Sequence, residues 1–241
     1  MFDVIVSLTT WKGRINTIDL KRNIFELLTK QKTQYKYKVV LCLSEEEFPN
    51  KDKEIPTWLV ELDSVSDNFN IIWTYKNTKA LKKLNPAMKK YPDLPIISID
   101  DDERFKSNTI ELFMNYHKQH PDIILSECGI NEIYENIFTT GVFRLYPPNS
   151  LADLDEQYFI DYFNTANDDL FNAIRAVMKG TKTKMLHTKC VTTIFANEQK
   201  NSLYTIYSKM NWSEIVKKFE NEIKLPNFKE NHGKPQKFKW I

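Results

Sequence analysis

Apolar residues in the first half of the chain come in short bursts separated by stretches of three-to-four spacing. Val4-Ile5-Val6-Ser7-Leu8 is such a burst, too short for a helix and rich in β-branched side chains, and it reads as a strand buried on both faces. From Thr17 to Lys30 the apolar positions Ile18, Leu20, Ile24, Leu27 and Leu28 fall near helical spacing, with Thr17 or Asp19 as cap. A second strand over Lys38–Leu43, a helix over Ile55–Leu62 opened by Pro56, and a third strand over Phe69–Tyr75 follow. A basic helix over Thr78–Tyr91 contains Pro86, which predicts a kink or a break there. The fourth burst, Pro95 to Ile99, precedes a helix over Ser107–Lys118 capped by Ser107. Strand and helix alternating four times predict a parallel, doubly wound nucleotide-binding half over residues 1–120.

Beyond residue 120 the rhythm changes. Strands are expected at Ile123–Leu125 and Phe138–Leu145, a helix at Asn167–Met178, and a short strand at Lys184–His187. Residues 121–200 are therefore read as a second half of the same domain. Residues 201–241 form a tail that packs on the domain or closes over it.

The fourth burst runs straight into Asp100-Asp101-Asp102. Asp is a poor strand former, so the triple belongs where the strand opens into a loop, the edge of an α/β sheet at which ligands bind. Three adjacent like charges raise one another's pKa unless a cation neutralises them. Oxygen ligands at alternate positions, Asp100 and Asp102, suit Mg²⁺ or Mn²⁺ shared with the phosphates of a substrate, with His187 as a further ligand. A solvated acidic turn is the competing reading, and His187 near a strand end also fits a structural role. Asp168-Asp169 at the start of the last helix either cap that helix or supply a base for a hydroxyl. Asn167 is able to cap alone, which frees a carboxylate. Lys12 and Arg14 after the first strand, and Lys82 and Lys83 one helix before the acid triple, either face a diphosphate or are solvated charges.

Composition narrows the classes. Of 241 residues 41% are hydrophobic and 27% charged, and the formal net charge is +2, which points neither to a disordered chain nor to a nucleic-acid binder. Five glycines are too few for a glycine-cradled phosphate site. Cys42, Cys128 and Cys190 are scattered and odd in number, and Cys42 and Cys128, in or near apolar runs, read as buried thiols in a reducing compartment. No leader or membrane span is read, so a cytoplasmic protein is expected, at most docked on a membrane. Lys209 to Ile241 carries eight Lys against four Glu among aromatic residues, a pattern that suits either anionic lipid or packing on its own domain.

Several segments together resemble small bacterial glycosyltransferases of the GT-A fold, of the capsular and lipopolysaccharide biosynthesis type. They are Val6 to Ile15 (VSLTTWKGRI), Leu43 to Pro49 (LSEEEFP), Leu81 to Pro92 (LKKLNPAMKKYP), Thr140-Gly141-Val142 with Leu145-Tyr146-Pro147-Pro148, and Ala166 to Asp169. The acid triple stands where that family has its DXD motif. The resemblance implies a Rossmann-like, mixed, mainly parallel sheet and a UDP- or GDP-sugar donor whose sugar passes to a saccharide or lipid-linked saccharide. It implies that Asp100, Asp101 and Asp102 bind the metal and diphosphate, with Asp101 near the ribose. Thr9 and Thr10 would touch the nucleotide and Ser44 its base, with Arg14, Lys83 and Gly141 also in the donor site. Asp169, or else Asp168, would be the base of an inverting reaction. Relatives more often carry Glu-Asp or Ala-Asp-Asp where Asn167 intervenes here. A nucleotidyltransferase of similar fold and a non-catalytic sugar-nucleotide-binding or scaffold subunit are the alternatives.

Overall fold

The computed structural model describes residues 1–127, 143–186 and 188 with their side chains. It also describes the backbone of 132–134, 137–138 and 191–193, together with residues 214, 217 and 218. The strands are β1 (Val4–Thr9), β2 (Tyr37–Ser44), β3 (Phe69–Thr74), β4 (Ile96–Ile99), β5 (Glu103–Phe105), β6 (Ile124–Glu127), β7 (Glu132–Tyr134), β8 (Ile137–Phe138), β9 (Phe143–Tyr146), β10 (Thr183–Leu186) and β11 (Val191–Thr193). The α-helices are α1 (Ile18–Lys30), α2 (Thr57–Val65), α3 (Asn85–Lys90), α4 (Thr109–Gln119), α5 (Glu156–Phe163) and α6 (Asp168–Lys179).

Seven strands form one sheet in the order β10-β6-β9-β4-β1-β2-β3. β1 pairs in parallel with β2 and β4, β2 with β3, and β6 with β10. β9 runs antiparallel to both β4 and β6, so the sheet is mixed and mainly parallel. Outside it β5 pairs antiparallel with β11, and β7 with β8. The expected strand over 138–145 is instead two elements, β8 and β9.

Alternation along the strands sorts the core into two layers. Val4, Val6, Leu8, Val39, Leu41, Ile97, Ile99, Phe143 and Leu145 pack with Leu20 and Ile24 of α1, Leu59 of α2 and Phe113 of α4. The opposite face, with Ile5, Val40, Cys42, Ile96 and Tyr146, packs on Ala87 of α3 and Ala176 of α6. Each Val, Leu, Ile or Phe side chain removed from water in this way contributes about 1.5–3 kcal/mol before entropy is counted.

Local chemistry sets the ends of the helices. Thr17 caps α1 by accepting a bond from the Leu20 amide, as the spacing predicts. The basic segment does break at Pro86: Lys79–Lys83 is a 3₁₀ turn, and Pro86 lies in the first turn of α3. The cap of α4 is Asn108 rather than Ser107, and it makes no side-chain bond. Asn164 and Gly180, both in the left-handed region (φ 52° and 77°), end α5 and α6.

Candidate active site

β1 and β4 lie side by side, so the loops leaving them meet at one edge of the sheet. The acid triple is the turn between β4 and β5, and its members have different surroundings. Asp101 is buried, 6% exposed. Its Oδ2 accepts from the Thr10 hydroxyl at 2.5 Å, its Oδ1 from the Arg14 guanidinium, and its backbone carbonyl from the Asn23 amide at 2.8 Å. Arg14 also reaches Asp102 at 3.2 Å. At Gly13 in this loop the Trp11 ring lies where a Cβ would project, so a larger residue there would have to displace that ring. Asp100 and Asp102 remain at the surface, their side chains 43% and 32% exposed. Burial and the adjacent Asp101 raise the Asp102 carboxyl to about 6, against the pull of Arg14.

The second carboxylate pair opens α6. Asn167 does cap the helix, accepting from the Leu170 amide at 2.7 Å, so Asp168 and Asp169 are released from that duty. Lys83 joins the two clusters. Its buried Nζ lies 2.5 Å from Asp100 Oδ1 and 2.6 Å from Asp168 Oδ2. Ser7 of β1 donates to the Lys83 carbonyl at 2.5 Å and so fixes its backbone. Burial opposes the Lys83 charge, but Asp100 and Asp168 outweigh it and raise its pKa well above the usual value. Asp169 Oδ1 lies 3.1 Å from Arg144 of β9. Burial raises the Asp169 carboxyl to about 7, with Asp168 and Asp100 adding to the shift and Arg144 and Lys83 opposing it.

The other expected site residues are distributed as follows. The Thr9 hydroxyl turns to the Cys42 carbonyl at 2.7 Å, and Ser44 is fully buried with an unpartnered hydroxyl. Lys82 is buried between Asn77 at 3.0 Å and Glu47 at 3.4 Å, away from the acids that Lys83 serves. Lys12 stays exposed, 4.0 Å from Glu54. Gly141 and His187 lie outside the described residues, as does most of the 201–241 tail.

Two buried groups escaped sequence reasoning. Arg144 carried a signal, a cation inside the apolar run Phe143-Arg144-Leu145. Glu103 carried none, being the fourth acid of a run. It is 3% exposed, its Oε2 has no hydrogen-bond partner, and burial with Asp100 and Asp102 raises its pKa well above the usual value.

Among the described residues no group of three or more His, Cys, Asp or Glu converges to hold a metal ion. The donors at the rim still fit a hard divalent ion whose remaining ligands come from phosphate: two partly exposed carboxylates, one of which burial and like charge hold above its usual pKa.

The sequence matches no protein-family model and no curated protein. The fold does have relatives. TarS of S. aureus superposes with a TM-score of 0.55 at 13% identity, over 80% of this chain and 37% of that one. TarS 1-349 in complex with UDP-GlcNAc gives 0.52 at 14%, over 78% and 57%. The Pyrobaculum calidifontis mannosyltransferase PcManGT, in complex with GDP-Man and Mn²⁺, gives 0.54 at 13%, over 85% and 59%. This chain thus spans between about a third and three-fifths of those proteins. The architecture shared with these structures is a Rossmann-like α/β fold.

Proposed function

We propose that this protein is a metal-dependent glycosyltransferase that moves a sugar from a nucleotide-sugar to a saccharide hydroxyl, with inversion, in surface polysaccharide assembly. The observation that carries this reading is the Lys83 bridge, which ties Asp100 of the acid rim to Asp168, the neighbour of the proposed base Asp169. The neighbours bound to UDP-GlcNAc and to GDP-Man with Mn²⁺ support the same donor class.

Asp100 and Asp102, with His187 as a further candidate, would hold Mn²⁺ or Mg²⁺. The ion would supply charge stabilisation for the departing nucleoside diphosphate. Asp101 has a different task. Tied to Thr10 and Arg14, it fixes the loop after β1 against the acid rim. Thr9, Thr10, Arg14, Ser44, Lys83 and Gly141 remain the proposed donor-side residues, with Lys83 adding a fixed cation near the diphosphate. Asp169 takes the proton of the acceptor hydroxyl. The acceptor oxygen then bonds to the anomeric carbon as the bond from that carbon to the diphosphate oxygen breaks, and its electron pair leaves with the diphosphate. A base pKa near 7 suits this work, because it joins an ionised population to useful basicity.

No described helix is long and apolar enough to cross a membrane. A cytoplasmic enzyme, touching the membrane through its basic tail and taking a lipid-linked acceptor, agrees with that.

UDP-GlcNAc and GDP-Man, each with Mn²⁺, test the reading through binding calorimetry and slow donor hydrolysis. Metal-dependent hydrolysis that is lost in Asp102→Ala is expected. Tight binding without turnover, even with a panel of saccharide acceptors, would favour a sugar-nucleotide-binding subunit instead.

A further inference from the structure

Strand β9 is the antiparallel strand inside the sheet, between β6 and β4, and it carries the one buried guanidinium of the sheet among the described residues. In register, Arg144 stands between Ser98 of β4 and Ser126 of β6. Residues opposite one another in a sheet project to the same face. The row Ser98, Arg144, Ser126 therefore places a long cation between two small hydroxyl side chains, which leave it room. That face packs on α6 through Tyr146 and Ala176. Tyr146, two residues on, holds the guanidinium from its own strand at 3.5 Å. The far end of the side chain forms an ion pair with Asp169, Nη2 to Oδ1 at 3.1 Å, and this nitrogen makes no hydrogen bond among the described residues.

The two helix-start carboxylates are thus divided between two cations of different origin. Asp168 is gripped at 2.6 Å by the buried Lys83 ammonium, whereas Asp169 shares a longer contact and keeps 25% of its side chain exposed against 17% for Asp168. We propose that Arg144 is the positioning residue of this site: from its fixed place in the sheet it orients Asp169, and so makes Asp169 rather than Asp168 the group that activates the acceptor. This rests on the transferase reading given above, and it adds to that reading a residue in β9. The titratable and charged groups that bear on Asp169 are Arg144 and Tyr146 from β9, Lys83 from the 3₁₀ turn, Asp168 from its own helix, Asp100 from the β4 loop and Glu103 from β5. Of these Arg144 is the nearest cation, so its removal raises the Asp169 midpoint by about one pH unit or more.

The test uses ¹³C-carboxylate NMR of aspartate-labelled protein, with Asp169→Asn to assign the signal, and Mn²⁺-dependent hydrolysis of UDP-GlcNAc and GDP-Man across pH. Arg144→Met is expected to move the Asp169 midpoint up by that amount. It also lowers kcat about a hundredfold, with the donor KM changed less than twofold. Arg144→Lys keeps the charge, so the midpoint returns towards the parent value and part of kcat with it. In the parent protein, the guanidinium ¹⁵N signal of Arg144 shifts with the Asp169 midpoint, which checks the pair even where Arg144→Met fails to fold. A midpoint unmoved in Arg144→Met, or a guanidinium signal indifferent to the titration, overturns the proposal. Failure of the parent to hydrolyse either donor counts against the transferase reading instead, and the NMR result still decides the pair.

Discussion

The two carboxylate clusters look alike in the sequence and differ in the fold. At the end of β4, the middle acid of three is taken out of water and spent on Thr10 and Arg14, which leaves its neighbours at the rim. At the start of α6, both acids stay partly exposed because Asn167 carries the capping bond. The first cluster is a foundation with two partly exposed edges, each paired with a cation, and the second is a pair sorted by two different cations. Adjacent acids are therefore not equivalent, and their roles follow from which of them the backbone turns inward.

Lys83 belongs to both clusters, so removing it should do the most damage. Lys83→Met is expected to lower donor hydrolysis about a thousandfold. It should also cost about 2–3 kcal/mol in urea unfolding, less than a fully buried pair because Asp100 is 43% exposed. A variant of near-parent activity would remove the link between the clusters.

Next comes the division within the helix-start pair. Asp169→Asn should reduce transfer about a thousandfold with donor affinity intact, whereas Asp168→Asn should cost about tenfold. Equal losses would mean that the two carboxylates act as a unit.

The strand-end triple should divide in the opposite sense, with its middle member deciding stability. Asp101→Asn leaves the partly buried Arg14 with Asp102 alone and should cost about 2–3 kcal/mol. Asp100→Asn takes one of its two carboxylates from the buried Lys83, so it should cost about 1 kcal/mol, while weakening Mn²⁺-dependent donor binding about tenfold.

The smallest effect is thermal. A carboxyl held near 7 in the fold keeps its proton more tightly than in the unfolded chain, where its pKa is about 3.9. Its contribution to stability is complete below that value and is lost as pH rises through 7. Asp169→Asn should therefore melt about 2–4 °C above the parent at pH 8, with the gain shrinking towards pH 4. Catalysis runs the other way, and the hydrolysis rate should fall about tenfold per pH unit below 7.

The alternation of apolar bursts and helical spacing is a local property, so β1 to β4, α1 and the break at Pro86 were legible from the chain alone. The acid triple was legible for the same reason, since an abrupt change from apolar to acidic residues is itself a local signal. Strand register was not. Which acid turns inward, and which lysine of Lys82-Lys83 meets the acids, depend on where each side chain points once the sheet has closed. The partnership of Arg144 with Asp169 joins residues 25 positions apart. It exists only because β9 inserts antiparallel between β4 and β6 and lays Arg144 beneath α6. Composition and spacing determined the elements and the chemistry on offer, because hydrophobic period and backbone propensity act over a few residues. Tertiary structure decided which charges are buried together, because desolvation and ion pairing depend on distances that no short stretch of sequence contains.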